Sequence, residues 1–259
     1  MLRRSLLVVM LALAPSLLFG ATLQERTQLF FGHDDRTALP IDQTPWNAVA
    51  RIQLGEENQC SGILLAPHWV LTAGHCLLDA QRHRLWPITL ELAGLPDKQW
   101  DVDAVRYPDS LRRGLQPDGD SFIITPEASP RDFALLHLSQ PVSQIAPIPL
   151  WPGDAKKLSS VLMNKNTRIA LAGYPEDHLT QLMGDLGCQQ VKYAGDGLLT
   201  HRCDSLPGDS GAPLLLQTQS GWHVVGVQSS APDAENRWQA DNLAVAIPFW
   251  KKQLQAWLR

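Results

Sequence analysis

The chain of 259 residues is short of almost everything that marks a nucleic-acid, metal or membrane protein. Charged residues make up only 19%, the formal net charge is -4, and no basic run occurs, so nothing supplies the electrostatic footprint of a nucleic-acid binder. There are four cysteines, and none stands in the close Cys-x-x-Cys spacing of structural zinc sites. Beyond the first twenty-odd residues no apolar run approaches the ~20 residues of a spanning helix, so stable membrane insertion is not expected. Internal repeats and low-complexity segments are absent. Nothing in the pattern calls for a metal or an organic cofactor.

What is present begins with an export signal. Arg3 and Arg4 precede an apolar run, Leu6–Leu13, then Pro15, a second short apolar stretch, and the small residues Gly20 and Ala21. This reads as a secretory signal peptide over 1–21, cut before the fold begins, with a secreted or periplasmic destination. The cysteines agree with an oxidising compartment. Cys60 with Cys76 and Cys188 with Cys203 is the simplest of three connectivities, and each bridge would close a local loop worth roughly 3 kcal/mol of chain entropy.

From about Trp46 the texture is β. Residues 47–54 alternate apolar and polar, and short apolar runs follow at 61–66, 69–72, 89–92, 133–138, 168–172, 213–217, 222–227 and 243–247. Many short strands separated by Gly, Pro, Asp and Asn predict an all-β fold. Residues 107–131 lack a period and read as a long surface excursion, and the Pro-rich stretch 139–160 reads as a crossover between two halves, 30–150 and 151–259. Trp250, Leu254, Trp257 and Leu258 fall on one helical face, with Pro248 in the first turn, so the chain is predicted to end in a helix docked on its own barrel.

Three segments carry chemistry. In Gly208-Asp209-Ser210-Gly211, glycines permit a sharp turn that exposes a serine hydroxyl, and the N–H groups of Gly208 and Ser210 are placed to converge on a developing oxyanion. In Ala73-Gly74-His75-Cys76, an apolar strand ends in small residues and presents a histidine beside a cysteine that ties it down; a general base needs such rigidity. Asp132 stands immediately before the apolar run 133–136, where a buried carboxylate would accept the imidazole Nδ1–H and fix its tautomer. The order is His, Asp, Ser, with steps of 57 and 78 residues. An α/β-hydrolase would need the order Ser, Asp, His and a Gly-x-Ser-x-Gly elbow, which this chain lacks.

Together these three boxes resemble those of the chymotrypsin-like (trypsin-fold) serine peptidases. The resemblance spans about residues 30–259. It implies two antiparallel six-stranded Greek-key β-barrels, a catalytic cleft between them, a C-terminal α-helix, a His75–Asp132–Ser210 triad, and a protein or peptide substrate handled by a monomer. A finer likeness to the bacterial glutamyl-endopeptidase branch rests on Gly32-His-Asp-Asp-Arg36, Thr44-Pro45-Trp46, Gly173-Tyr174-Pro175-Glu176-Asp177 and Cys203-Asp204-Ser205.

That resemblance implies substrate-pocket positions at Asp204, Ser205, Gln228 and Ser229. Neither Gln228 nor Ser205, standing where the glutamyl branch has its carboxylate-binding histidine and threonine, is cationic. Asp204 lies six residues before Ser210, where trypsin-like enzymes hold an aspartate that binds Lys or Arg, yet the glutamyl branch has Asp there without that preference. A basic cleavage residue stands slightly ahead of a small or polar one. Asp209 matches the carboxylate that pairs with a new α-amino group after a propeptide is removed, and Phe30-Phe31-Gly32 fits such a terminus, so residues 22–29 are an expected short propeptide. The alternative is a catalytically inactive protease-fold protein that binds through its cleft; retention of all three triad positions argues against it.

Overall fold

The computed structural model describes residues 28–259 apart from 56–57, 120, 233–235 and 238. The expected signal peptide and most of the expected propeptide therefore lie outside the described residues.

Strands form where the alternating and apolar runs predict them. Seven curl into one antiparallel sheet: β2 (Val49–Gln53), β3 (Gln59–Ala66), β4 (Trp69–Thr72), β5 (Thr89–Leu92), β6 (Leu95–Gln99), β7 (Val102–Arg106) and β10 (Ala134–Leu138), in the order β6-β5-β2-β3-β4-β10-β7. Eight form the second: β1 (Thr37–Ala38), β11 (Ile169–Gly173), β12 (Met183–Asp185), β13 (Gln189–Gly195), β14 (Leu198–Arg202), β15 (Pro213–Thr218), β16 (Gly221–Ser230) and β17 (Asn242–Ala246), in the order β1-β12-β11-β15-β16-β17-β14-β13. The fold is mostly β, with two curled antiparallel half-barrels and a terminal helix.

The strand numbers differ from six and six for local reasons. The tight turn at Ala93–Gly94 makes β5 and β6 a hairpin, and the two-residue β1 crosses from the N-terminal segment to cover the β12 edge, Thr37 opposite Gly184. Burial follows strand alternation: Val49, Ala50 and Ile52 are fully buried, and the main core runs from these through Phe133 and Leu135 to Val227 and Val245 of the second sheet.

The segment 107–131 departs from a structureless excursion. It folds into a short helix α1 (Asp109–Arg113) and a separate hairpin, β8 (Leu115–Asp118) with β9 (Ser121–Ile124). Leu111, Leu115 and Ala128 bury against Leu78 in a satellite cluster. Those few apolar residues are spaced too irregularly to show a period, and neighbours from elsewhere in the chain decide the outcome. After the Pro-rich crossover comes α2 (Ala155–Leu162), with the Asp154 carboxylate accepting from Lys157 N–H as its cap.

The C-terminal helix α3 (Ile247–Trp257) has Pro248 in its first turn and buries Leu254 completely. Its tryptophans pack on Phe133, with ring centroids 5.3 Å away for Trp250 and 5.7 Å for Trp257. Trp250 Nε1–H donates to Pro130 O at 2.6 Å. The helix thus clamps both sides of Asp132.

Candidate active site

Strand pairing brings the histidine and the aspartate together. β4 and β10 run antiparallel with Thr72 opposite Ala134, so the chain leaving β4 and the chain entering β10 share one sheet end. His75 opens a 3-10 turn just past β4, and Asp132 ends another just before β10. Gly74 is needed there: a Cβ would stand 2.3 Å from Leu111 and 3.1 Å from Phe133 O.

The Asp132 carboxylate is completely buried and fully engaged. One oxygen accepts the His75 backbone N–H at 2.7 Å; the other accepts the His75 ring Nδ1–H at 2.7 Å and the Ser229 hydroxyl at 2.5 Å. Burial by itself would lower the His75 pKa, but the Asp132 charge and hydrogen bond outweigh it and hold the pKa above the ordinary 6.5. For Asp132, burial favours the neutral acid, while the His75 charge and the hydrogen bonds from His75 and Ser229 prevail and keep its pKa below 3.8.

Ser210 sits in the turn before β15, and Ser61 of β3 anchors it from the other sheet. Ser61 N–H donates to Ser210 O at 2.8 Å, and Ser61 Oγ donates to Gly208 O at 2.9 Å while accepting from Tyr174 N–H. Gly211 has φ +84°, and a Cβ there would stand 2.2 Å from both Ser61 O and Thr72 Oγ1. Gly208, φ +95°, would meet Tyr174 O at 2.4 Å. The N–H groups of Gly208 and Ser210 donate to no acceptor among the described residues. His75, Gly208 and Ser210 line one cleft of about 580 Å³. A larger groove of about 850 Å³, between α2 and β13, contains none of them. Ser210 Oγ makes no hydrogen bond to the imidazole among the described residues, an alignment that substrate commonly tightens.

Both disulfides form as the simplest pairing, Cys60–Cys76 and Cys188–Cys203. The first ties β3 to the turn that carries His75. Phe122, from the hairpin in the former excursion, closes on the His75 ring with centroids 6.3 Å apart.

The expected pocket residues separate. Ser229 is turned to Asp132. The Gln228 amide oxygen accepts from His201 Nε2–H at 2.7 Å; His201 Nδ1 accepts from Cys203 N–H, and burial pushes this histidine down to about 4, so it stays neutral. Asp204 accepts the Asp35 N–H at 2.7 Å, only 4% exposed. Burial, with Asp185, Asp34 and Asp35 nearby, raises its pKa to about 7. Ser205 Oγ accepts from Asn242 Nδ2–H at 3.1 Å, and Asn242 Oδ1 in turn accepts from Arg237. Sequence reading missed Ser61, a common residue outside the three boxes with only tertiary pairing to Gly208 and Ser210 to mark it. Asp209, 3% exposed, accepts from Leu206 N–H at 3.0 Å and has no ion-pair partner among the described residues; burial raises its pKa to about 7.

Two facing β half-barrels with histidine, buried aspartate and serine gathered at their junction are the architecture of a chymotrypsin-fold serine peptidase. Residues 36–258 match the family model described as Trypsin, and the chain belongs to that family of serine peptidases. It is 28% identical over 207 residues to human (Homo sapiens) Serine protease 56, covering 69% of this chain and 30% of that protein. To mouse (Mus musculus) Serine protease 56 it is 30% identical over 198 residues, covering 68% and 30%. The chain thus spans about 30% of the length of these curated relatives. Among solved structures, a Glu endopeptidase in complex with MPD is similar in fold, with a TM-score of 0.67 and 21% identity over 88% of this chain and 99% of that one.

Proposed function

We propose that this protein is a secreted or periplasmic endopeptidase that hydrolyses peptide bonds through an acyl-enzyme on Ser210. The observation that carries the reading is the Asp132 carboxylate held at 2.7 Å by both the backbone and the ring of His75, with Ser210 lining the same cleft. With Nδ1–H committed to Asp132, Nε2 is the imidazole's basic atom. It takes the Ser210 hydroxyl proton as Oγ bonds to the substrate carbonyl carbon. The carbonyl oxygen becomes an oxyanion that the Gly208 and Ser210 N–H groups receive. The imidazolium, stabilised by Asp132, returns the proton to the leaving amine, and the C–N bond breaks. Water repeats the sequence on the ester and frees the acid.

The apolar leader over 1–21 and the two disulfides support an exported protein. The division at about 150, with strands β2–β10 before it and β11–β17 after it, supports two halves of one peptidase domain. Asp209 is buried, and among the described residues it has no cationic partner at ion-pair distance, so a new α-amino group at residue 30, freed by removal of 22–29, would find a carboxylate to pair with. N-terminal sequencing of the mature protein tests that cut: a terminus at Ala21 or Thr22 on fully active enzyme would end it.

Labelling with a serine-directed fluorophosphonate, beside Ser210→Ala, tests the catalytic reading. Wild-type protein takes the label and the variant does not. A processed, folded protein that leaves the probe unreacted would instead be the inactive binding protein.

A further inference from the structure

The groove of about 850 Å³ between α2 and β13 shares no lining residue with the cleft of His75 and Ser210. Its charge runs against that of the chain. The whole sequence is acidic, with 26 aspartates and glutamates against 22 lysines and arginines. Residues 155–168, which form α2 and the turn after it, carry Lys156, Lys157, Lys165 and Arg168 and no acid. Residues 186–195, which contain β13, carry Lys192 and no acid. Lys165, Arg168 and Lys192 line the groove, and no aspartate or glutamate lines it with them. Several arginines elsewhere are matched: Arg36 with Asp177, Arg51 with Glu91, and Arg202 with Asp241. The three groove cations are exposed and form no ion pair among the described residues.

The rest of the lining is strongly apolar. Ile169 and Val191 are buried in it, and Tyr193 is half-buried. Met163 is 75% exposed and Leu186 is 48% exposed, and both line this one groove. Met163 is the most exposed large apolar side chain among the described residues. Apolar residues scattered singly on a surface need no explanation, but two that share a groove with buried apolar neighbours and unpaired cations do. β13 is the last strand of its sheet and pairs only with β14. That pairing shifts register between Gln189 and Lys192 and again between Tyr193 and Gly195. An edge strand so bulged offers no regular backbone ladder, so recognition at this edge falls to side chains.

We infer that this groove is a docking site for a segment of a partner protein that carries apolar side chains flanked by Asp or Glu. Its apolar side chains cover Met163 and Leu186, and its carboxylates meet Lys165, Arg168 and Lys192, with the Arg168 guanidinium offering a fork to one of them. A polyanion such as a sulfated polysaccharide would engage the cations and leave Met163 and Leu186 in water. The two exposed apolar side chains therefore favour a peptide. The inference stands apart from the peptidase reading, because the groove and the cleft have no residue in common.

The test uses the full chain carrying Ser210→Ala, so that no peptide is cut, and an array of short peptides combining Leu, Phe or Met with Asp, Glu, Asn, Gln or Lys. Acidic peptides with apolar residues should bind, and their Asn and Gln counterparts should bind about 10-fold more weakly, the sum of three exposed charge pairs. Adding Lys165→Glu, Arg168→Glu and Lys192→Glu should abolish the acidic selection and favour the Lys peptides, through like-charge repulsion. All three side chains are exposed, so the melting temperature should hold. Met163→Ser with Leu186→Ser should weaken the acidic peptides about 10-fold and keep their advantage over the amides. Added salt should weaken binding without abolishing it. Equal binding of acidic and amide peptides, or an acidic selection that survives the charge reversal, overturns the inference. So does binding of heparin or of phosphatidylserine vesicles through the three cations, where the peptides fail and the Met163 and Leu186 changes have no effect; the groove is then a polyanion site.

Discussion

The Ser229 hydroxyl lies 2.5 Å from Oδ2 of Asp132, the oxygen that also accepts the His75 ring N–H. It makes a residue expected at the substrate pocket a positioning residue for the buried carboxylate. Ser229→Ala should cut kcat/KM on the order of 10-fold, since a hydrogen bond to a charged group contributes about 1.5–3 kcal/mol. The loss should fall mainly on kcat. A variant with unchanged kcat and a raised KM would return Ser229 to the pocket.

The pH–rate profile should report His75. Its pKa is raised, and the base must be neutral to act, so kcat/KM should climb with pH through a midpoint above 6.5. Asp132→Asn removes the charge that raises it. That variant should move the midpoint down and lower kcat by roughly 10⁴-fold, the scale found for this substitution in a Ser-His-Asp triad.

Asp209 links stability to pH in the chain that retains its N-terminal segment. Its folded pKa, about 7, lies above the ordinary 3.8, so the folded state binds the proton more tightly than the unfolded state. That stabilisation is fully present below pH 3.8 and is lost as pH rises through about 7, a swing of up to about 4 kcal/mol. Thermal melts at pH 5 and pH 8 should show a lower Tm at pH 8, with Asp209→Asn reducing the difference. If a freed α-amino group then pairs with Asp209, the Asp209 part of that trend should disappear in the processed protein.

Gly211→Ala is expected to abolish activity. The new Cβ would stand 2.2 Å from Ser61 O and Thr72 Oγ1, and the φ of +84° strains any L side chain. Since Thr72 Oγ1 donates to Ser61 O, relief of the clash must pull β3 from β4 and shift Ser210 with it. A fully active variant with an unchanged melting temperature would show that this junction yields.

Opening the first disulfide should act on both stability and rate. The Cys60→Ala, Cys76→Ala double variant should lose about 3 kcal/mol in denaturant unfolding, from a loop of 16 residues. It should also lose turnover, since one end of the bridge is the residue after His75.

The three catalytic boxes were legible because each combines a reactive side chain with the small or apolar neighbours that hold it, all within six residues. The strands were legible for the same reason, since alternation such as Val49 to Gln53 is a local property. The hairpin that carries Phe122 was not, because its few apolar residues bury in a small cluster with Leu111, Ala128 and Leu78, and Leu78 comes from a distant part of the sequence.

The amino-acid sequence by itself determined the β class, the terminal helix, the order of His75, Asp132 and Ser210 along the chain, and a cysteine pairing, all of which follow from short-range pattern. Only the tertiary structure decided where the polar groups of the pocket point. Asp204 faces Asp35, Gln228 faces His201, Ser229 faces Asp132, and Ser205 faces Asn242. The physical reason is that a buried polar group takes whichever partner the packing of distant strands brings within about 3 Å, and no local spacing encodes that choice.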